Sequence, residues 1–418
     1  MTGGPAFPAT LERDWCLQAD GEDPLGVLRE RVALPDGVIY LDGNSLGPLP
    51  VGVPARLDQV VHEQWQQGLI RSWNTAGWMG LPHRVGDRIA ALVGAAPGQI
   101  LVADSTTVNL HKLLLGALRL TGERQVILTE TENFHTDRYA AAGIAELADA
   151  ELRTVAREAL PQALDGSVGV LLLTHVDFRT GEMHDMRAVT ARAHAAGVLV
   201  LWDLSHSIGA VPVDLDGCAV DLAVGCTYKY LNAGPGAPAF LYVAARHQAN
   251  IDPPLHGWLG HRQPFAFEAE YAPAPGIGRL LAGSPPVIGI AVLDAALDAF
   301  NGVDMTELRN RSVELTDFFL HLVETRCGGQ DLGVVTPRAA GARGSQVCLT
   351  HPHAYAVVQA LIERGVIGDF REPNICRFGI APLYVSRTEI WDAVEHLRDI
   401  LEGGAHHHPR YAVRAAVT

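Results

Sequence analysis

The chain has 418 residues and lacks several features that would place it at once. Its six cysteines (Cys16, Cys218, Cys226, Cys327, Cys348 and Cys376) include no CxxC pair and no zinc-like spacing, and so read as reduced thiols of a cytosolic protein. No apolar run approaches membrane-span length, because LLLTHVDF and LVLWDLSH are soon broken by polar residues. The opening MTGGPAFPATLERDWC has neither the basic start nor the apolar stretch of a secretory leader, so a cytoplasmic location is expected. An excess of positive charge is also missing. The formal charge of -15 argues against nucleic acid or an anionic membrane as the main partner. A small anionic substrate stays compatible with it, since local arginines decide that. No internal repeat or low-complexity segment occurs, and the HHH at 406–408 reads as a solvated histidine run.

What is present is a globular chain, 48% hydrophobic and 19% charged, long enough for a large core and two domains. Short continuous apolar runs, QVILTE (125–130), VGVLLLT (168–174), VLVLWDL (198–204), DLAVGCT (221–227) and AFLYV (239–243), have the character of fully buried strands. MRAVTARAHAA (186–196) carries apolar residues at helical spacing between two of them. Such alternation predicts an α/β fold, a mostly parallel sheet covered on both faces. From about residue 301 the texture changes to a long amphipathic helix (305–327), strands near GSQVCLT and CRFGIAP, and a final helix at 387–403. We expect a large domain over 51–300, a smaller α+β domain over 301–418, and an amino-terminal segment, 1–50, that contributes to the smaller one.

The segment DLAVGCTYKYLNAGPG (221–236) sets Lys229 between two tyrosines, after a buried run and before a glycine-rich loop. Upstream, Asp203 ends another apolar run and His206 follows three residues later. A lysine, a strand-end acid and a nearby histidine are what an enzyme needs to hold pyridoxal phosphate. The amine binds the cofactor's aldehyde, and the acid keeps the pyridine nitrogen protonated. In open parallel sheets ligands collect beyond the carboxyl ends of the strands, where both residues fall. DSTTVNLHKLLLGAL (104–118) opens a helix with Ser105, Thr106 and Thr107, whose positive end suits a phosphate. Phe134 follows a strand, where it can stack on a ring, with Asp137 beside it. Arg377 lies on an apolar strand, where it is costly unless it meets an anion. Each residue also has a plainer reading alone: Asp203 and the threonines as helix caps, His206 as a half-buried histidine, Phe134 as packing, Arg377 as half of an internal ion pair.

Taken together the residues resemble those of the kynureninase family of fold-type I pyridoxal phosphate hydrolases, in its bacterial form. The resemblance is carried nearly end to end by YLDGNSLG (40–47), GLIRSWNTAGW (68–78), TTVNL (106–110), NFHTD (133–137), LTHVDFRTGEMHDM (173–186), WDLSHSIGAVPVDL (202–215), GCTYKYLNAGPG (225–236), GWLGH (257–261) and RGVIGDFREPNICRFGIAPLY (364–384). It implies the fold-type I transferase architecture and hydrolytic Cβ–Cγ cleavage of L-kynurenine to anthranilate and L-alanine, with 3-hydroxykynurenine the poorer substrate. Its expected setting is tryptophan catabolism, the kynurenine pathway and NAD biosynthesis.

By the same resemblance Lys229, Tyr228 and Asp203 are catalytic, and Lys229 carries the cofactor. Asp203 pairs with the pyridine nitrogen with support from His206, while Thr106, Thr107 and Tyr228 hold the phosphate. Phe134 stacks on the ring, and Asp137 and Thr174 complete the shell. Arg377 binds the substrate carboxylate, with Trp73 and Asn44 also on the substrate side. Trp258 and Ser284 reach the cofactor from a neighbouring subunit, which implies a homodimer. Three positions depart from the family pattern: His135 where proline is common, Ser205 where alanine is usual, and Ser284 where bacterial relatives carry threonine. Two other readings compete. A cysteine desulfurase on the same fold needs a reactive cysteine on a mobile loop, and a non-catalytic binding homologue predicts loss of Lys229 or its partners.

Overall fold

The structure, a computed structural model, describes residues 7, 8 and 11–414. Residues 1–6, 9 and 10 of the stretch read for a leader and the last four of the tail lie outside the described residues.

Seven strands form one sheet. Its order is Ile100–Val102, Phe240–Val243, Leu222–Gly225, Leu199–Asp203, Val168–Thr174, Val126–Glu130 and Glu151–Val155. Only Phe240–Val243 runs against its neighbours; the other six share one direction. The apolar runs sit where continuous hydrophobicity predicts, because side chains alternate between two covered faces. In Leu199–Asp203, Val200 and Trp202 enter one core while Leu201 enters the other. In Val168–Thr174, Leu171 and Leu173 join the first core while Val170 and Leu172 join the second. The helix Met186–Ala195 begins at Asp185, whose side chain accepts from the Ala188 amide. Thr190 on that helix accepts a hydrogen bond from the buried Trp202 indole, 3.2 Å.

Two strands of this sheet escape the sequence pattern. Ile100–Val102 is three residues long, too short to show a period. Glu151–Val155 is an edge strand whose side chains are half-buried or exposed, so it carries charge and lacks a continuous apolar run.

The carboxyl-terminal part holds a second, antiparallel sheet in the order Gly333–Val334, Gln346–Thr350, Ile375–Gly379 and Asp369–Arg371. Its helices include Met305–Arg326, capped by Asp304, and Arg387–Glu402, where Ser386 and Glu389 form a reciprocal capping box. The amino-terminal residues reach this region. Ile39–Tyr40 pairs in parallel with Val366–Ile367, and the exposed Arg13 guanidinium meets Asp392 at 2.7 Å. The expectation of a solvated histidine run holds for His407 and His408 but not for His406. That ring is buried against His351, with centroids 5.2 Å apart, because the tail folds back over the helix Ala354–Glu363.

Candidate active site

Five of the parallel strands end on one side of the sheet, and the segments that leave them surround a cavity of about 210 Å3. Thr106 and Thr107 arrive after Ile100–Val102, as the first turn of the helix Thr106–Thr121. Phe134 and Asp137 follow Val126–Glu130, and Thr174 ends its own strand. Asp203 ends the next strand, with His206 one turn on, and Tyr228 and Lys229 follow Leu222–Gly225. All these residues, expected to act together, line one cavity. Thr136, Phe178 and Ser205 line it as well and were not expected as site residues.

Lys229 stands out for a further reason: the chain has only two lysines. The other, Lys112, is 1% exposed, ion-paired with Asp104, and donates to the Leu280 carbonyl at 2.7 Å. The Lys229 ammonium lies 6.0 Å from the ring centroids of both Phe134 and Tyr228. Among the described residues no carboxylate comes within ion-pairing distance of it. Its loop is held from the amino-terminal side. The Gly47 amide donates to the Tyr228 carbonyl at 2.7 Å, and a Cβ on Gly47 would come within 2.3 Å of the Lys229 carbonyl oxygen, so only glycine fits there.

Thr174 and Asp203 are register partners on adjacent strands. Asp203 accepts the Ser205 amide at 2.7 Å, and the Thr174 hydroxyl reaches Asn133 Oδ1 at 2.5 Å and Asp137 at 3.2 Å. Asn133 also accepts the Phe134 amide at 2.8 Å, which sets the turn that presents the Phe134 ring. Burial raises both Asp137 and Asp203 above the usual carboxyl range. Their mutual proximity pushes Asp137 further, while hydrogen bonds from Ser205 and the charge of Lys229 draw Asp203 back down. His206 is held well below its ordinary value by burial first and then by the charges of Lys229 and Arg377, so its ring is neutral. Burial raises the Tyr228 phenol above its ordinary range, which keeps it protonated.

Arg377 is buried and makes the internal ion pair that was its alternative reading. Its Nε donates to Asp369 at 2.8 Å and its Nη2 to the other oxygen of the same carboxylate. Nη1 donates to the Phe178 carbonyl at 2.9 Å, which places the guanidinium directly behind the cavity wall. Asn44 is fully buried beside Gln346, packed on Gly379, where a Cβ would meet it at 2.3 Å. Arg377 and Asn44 lie behind the cavity lining rather than in it, and three further expected residues do not line the cavity of this chain. Trp73 packs edge-on against Trp78 with centroids 5.8 Å apart, Trp258 is 39% exposed, and Ser284 is exposed.

The donor set fits pyridoxal phosphate on the chemistry of its residues. Two buried carboxyls face one another, near the charge of Lys229 but ion-paired to no side chain among the described residues, and a protonated pyridine nitrogen supplies such a partner. A helix amino terminus with two threonines suits a phosphate, and an aromatic ring stands near the lysine.

Fold and site together define the fold-type I class of pyridoxal phosphate enzymes. A cysteine desulfurase from Thermococcus onnurineus NA1 superposes with a TM-score of 0.78 at 16% identity, covering 90% of this chain and 98% of that one. A C-DES variant solved with glycine covalently linked to its PLP cofactor gives a TM-score of 0.78 at 19% identity, covering 89% and 99%. At such identities the likeness speaks for the fold alone. Sequence comparison goes further. A kynureninase from Burkholderia pseudomallei (strain 1106a) is 54% identical over 97% of this chain and 99% of its own length, and one from Pseudomonas fluorescens is 51% identical over the same shares. The family model for the kynureninase C-terminal domain matches residues 308–397. The chain belongs to the kynureninase family.

Proposed function

We infer that this protein is a pyridoxal phosphate-dependent hydrolase that cleaves the Cβ–Cγ bond of L-kynurenine, releasing anthranilate and L-alanine. The observation that carries the reading is the convergence of Lys229, Asp203 and the Thr106–Thr107 helix start on one cavity, in a chain 54% identical to a kynureninase over nearly its full length. When bound, the cofactor supplies an electron sink that makes the substrate's α-proton labile.

The chain's own residues do the rest. Thr106, Thr107 and Tyr228 hold the phosphate, Phe134 supports the ring, and Asp203 with Asp137 and Thr174 fixes its nitrogen. Lys229 Nζ would hold the cofactor and, as a free amine beside bound substrate, would take the proton from the substrate α-carbon. Tyr228 Oη, kept protonated by burial, serves as the acid–base group while water adds to the γ-carbonyl and the Cβ–Cγ bond breaks. Arg377 receives the α-carboxylate, with Asn44 and Trp73 on the substrate side.

The assembly we propose is a homodimer in which Trp258 and Ser284 complete the neighbour's site; both are exposed in this chain and outside its own cavity lining. Residues 51–300 form the cofactor domain and 301–418 the small domain, which residues 1–50 complete. The pairing of Ile39–Tyr40 with Val366–Ile367 supports that last assignment. Among the described residues no helix is long and apolar enough to cross a membrane, and the cell compartment we propose is the cytoplasm. Kynurenine is expected to be preferred over its 3-hydroxy derivative. The desulfurase reading finds no thiol to use. None of the six cysteines lines the cavity, and burial raises Cys226, which neighbours the lysine loop, and pushes Cys348 up to about 12.

The test is incubation of purified, cofactor-loaded protein with L-kynurenine, with parallel reactions on 3-hydroxykynurenine and cysteine. Anthranilate and L-alanine in equal amounts support the reading. Alanine from cysteine alone overturns it.

A further inference from the structure

Gln346 joins the small sheet to the cavity. It is 1% exposed, at the start of the strand Gln346–Thr350, and no feature of its sequence neighbourhood marks it. Its Nε2 donates to the backbone carbonyls of Asp177 (3.1 Å) and Phe178 (3.2 Å). Its Oε1 lies 3.0 Å from His206 Nδ1 and 3.3 Å from Asn44 Nδ2. The amide can be turned only one way, because the reverse would set its oxygen against two carbonyl oxygens. Asn44 does not decide this, because its own amide is better satisfied with its nitrogen toward Asp42 Oδ1 at 3.3 Å and its oxygen toward Arg377 Nε at 3.1 Å. Oε1 is therefore an acceptor, and His206 Nδ1 has to carry the hydrogen. With the ring neutral, its other nitrogen, Nε2, is a bare lone pair. His206 lines the cavity, and Nε2 is the nitrogen left to serve it.

We propose that Gln346 is a positioning residue that fixes His206 in the Nδ1–H tautomer, so that Nε2 meets the cofactor only as a hydrogen-bond acceptor. The identity of that partner rests on the cofactor reading above. Whatever Nε2 meets must donate, as a ring hydroxyl does, and no imidazolium competes with Lys229 and Arg377 in the same site. Gln346 also ties this histidine to the proposed carboxylate-binding arginine, because the Phe178 carbonyl accepts from both Gln346 Nε2 and Arg377 Nη1.

The experiment is a two-bond 15N–1H correlation spectrum of histidine-labelled, cofactor-loaded protein, with the His206 signal located by its loss in His206→Asn. In the wild type, Nδ1 is expected to be protonated and Nε2 bare from about pH 6 to 9, on either side of an unperturbed histidine's titration. Gln346→Leu removes the acceptor and is expected to release the tautomer, giving a mixture or the Nε2–H form. Gln346→Glu keeps an acceptor but adds charge, so Nδ1–H persists while the ring begins to titrate inside that window. A purely structural glutamine would lower thermal stability in both variants and leave the ring pattern alone. A wild-type His206 in the Nε2–H or charged form overturns the proposal, as does an unchanged pattern in Gln346→Leu. If the leucine variant does not fold, the wild-type spectrum and the glutamate variant decide. Failure of the cofactor reading has a different signature: no visible absorbance after loading with pyridoxal phosphate.

Discussion

Thr174 and Asp203 face each other across adjacent parallel strands, at the last residue of each. That register places a hydroxyl and a carboxyl at the same depth in the cavity, where Asp137, in the first turn of the helix His135–Ala148, meets both. The Thr174–Asp203 side of the site is thus built on strand ends, whose positions the sheet's hydrogen bonds determine, while Phe134, Asp137 and the lysine and phosphate sides depend on loops or helix starts.

Asp203→Asn tests the charge at that depth while keeping the shape. Turnover of the loaded enzyme is expected to fall roughly 100- to 1,000-fold, the range for removing one preorganised electrostatic contact. The cofactor-free protein is expected to be no less stable, because one of two facing buried carboxyls is neutralised. Steady-state kinetics and thermal melts read the two effects separately, and an unchanged kcat would contradict the role.

Arg377 separates stability from binding. Arg377→Ala leaves Asp369 buried without its bidentate partner, and a broken buried pair costs about 3–5 kcal/mol. Urea unfolding measures that loss. Arg377→Lys keeps the charge but loses the fork, so KM for the amino acid is expected to rise far more than kcat falls.

Gly47→Ala forces the lysine loop. The new methyl would meet the Lys229 carbonyl at 2.3 Å and Asn232 Cα at 2.7 Å, both backbone atoms that have to move. Displacement of this order is expected to lower kcat about 100-fold while the far-ultraviolet spectrum is preserved. Gly21→Ala, where nothing lies within 4 Å of the added atom, serves as the control with unchanged kcat.

The histidine cluster of the tail gives a pH dependence. Burial, and then the neighbouring His406 and His353, hold His351 down at about 4, against about 6.5 for an unperturbed ring. A histidine depressed in the folded chain binds its proton more readily when unfolded. Stability is therefore full above about pH 6.5 and declines as pH falls toward 4, by roughly 1–3 kcal/mol from this residue. Unfolding curves at pH 8, 6 and 5 are expected to show a weaker decline in His351→Gln than in the wild type.

The legible parts of the molecule were those where one physical signal dominated. Buried strands such as Val168–Thr174 show as unbroken apolar runs, and Met305–Arg326 shows as a long amphipathic period. Lys229, Asp203 and His206 were found because chemistry follows strand ends. Phe178 and Gln346 were not, since a phenylalanine in a loop and a glutamine on a strand carry no local signal; their roles come from contacts far away in sequence. Asp369, the partner of Arg377, was hidden for the same reason, although an internal ion pair was one of the two readings open for that arginine. Trp258 and Ser284 were named only through resemblance, and nothing in a single chain brings them to its own cavity.

The most direct measurement uses the scarcity of lysine. Borohydride reduction of the cofactor-loaded protein, followed by peptide mass mapping, locates the amine that holds pyridoxal phosphate. With only Lys112 and Lys229 in the chain, and Lys112 buried in an ion pair, a single pyridoxyl group on Lys229 is predicted. Lys229→Ala should then show no adduct and a loss of turnover greater than about 1,000-fold. An adduct on Lys112, or none in a protein that still turns over kynurenine, would contradict the assignment of Lys229 on which the mechanism rests.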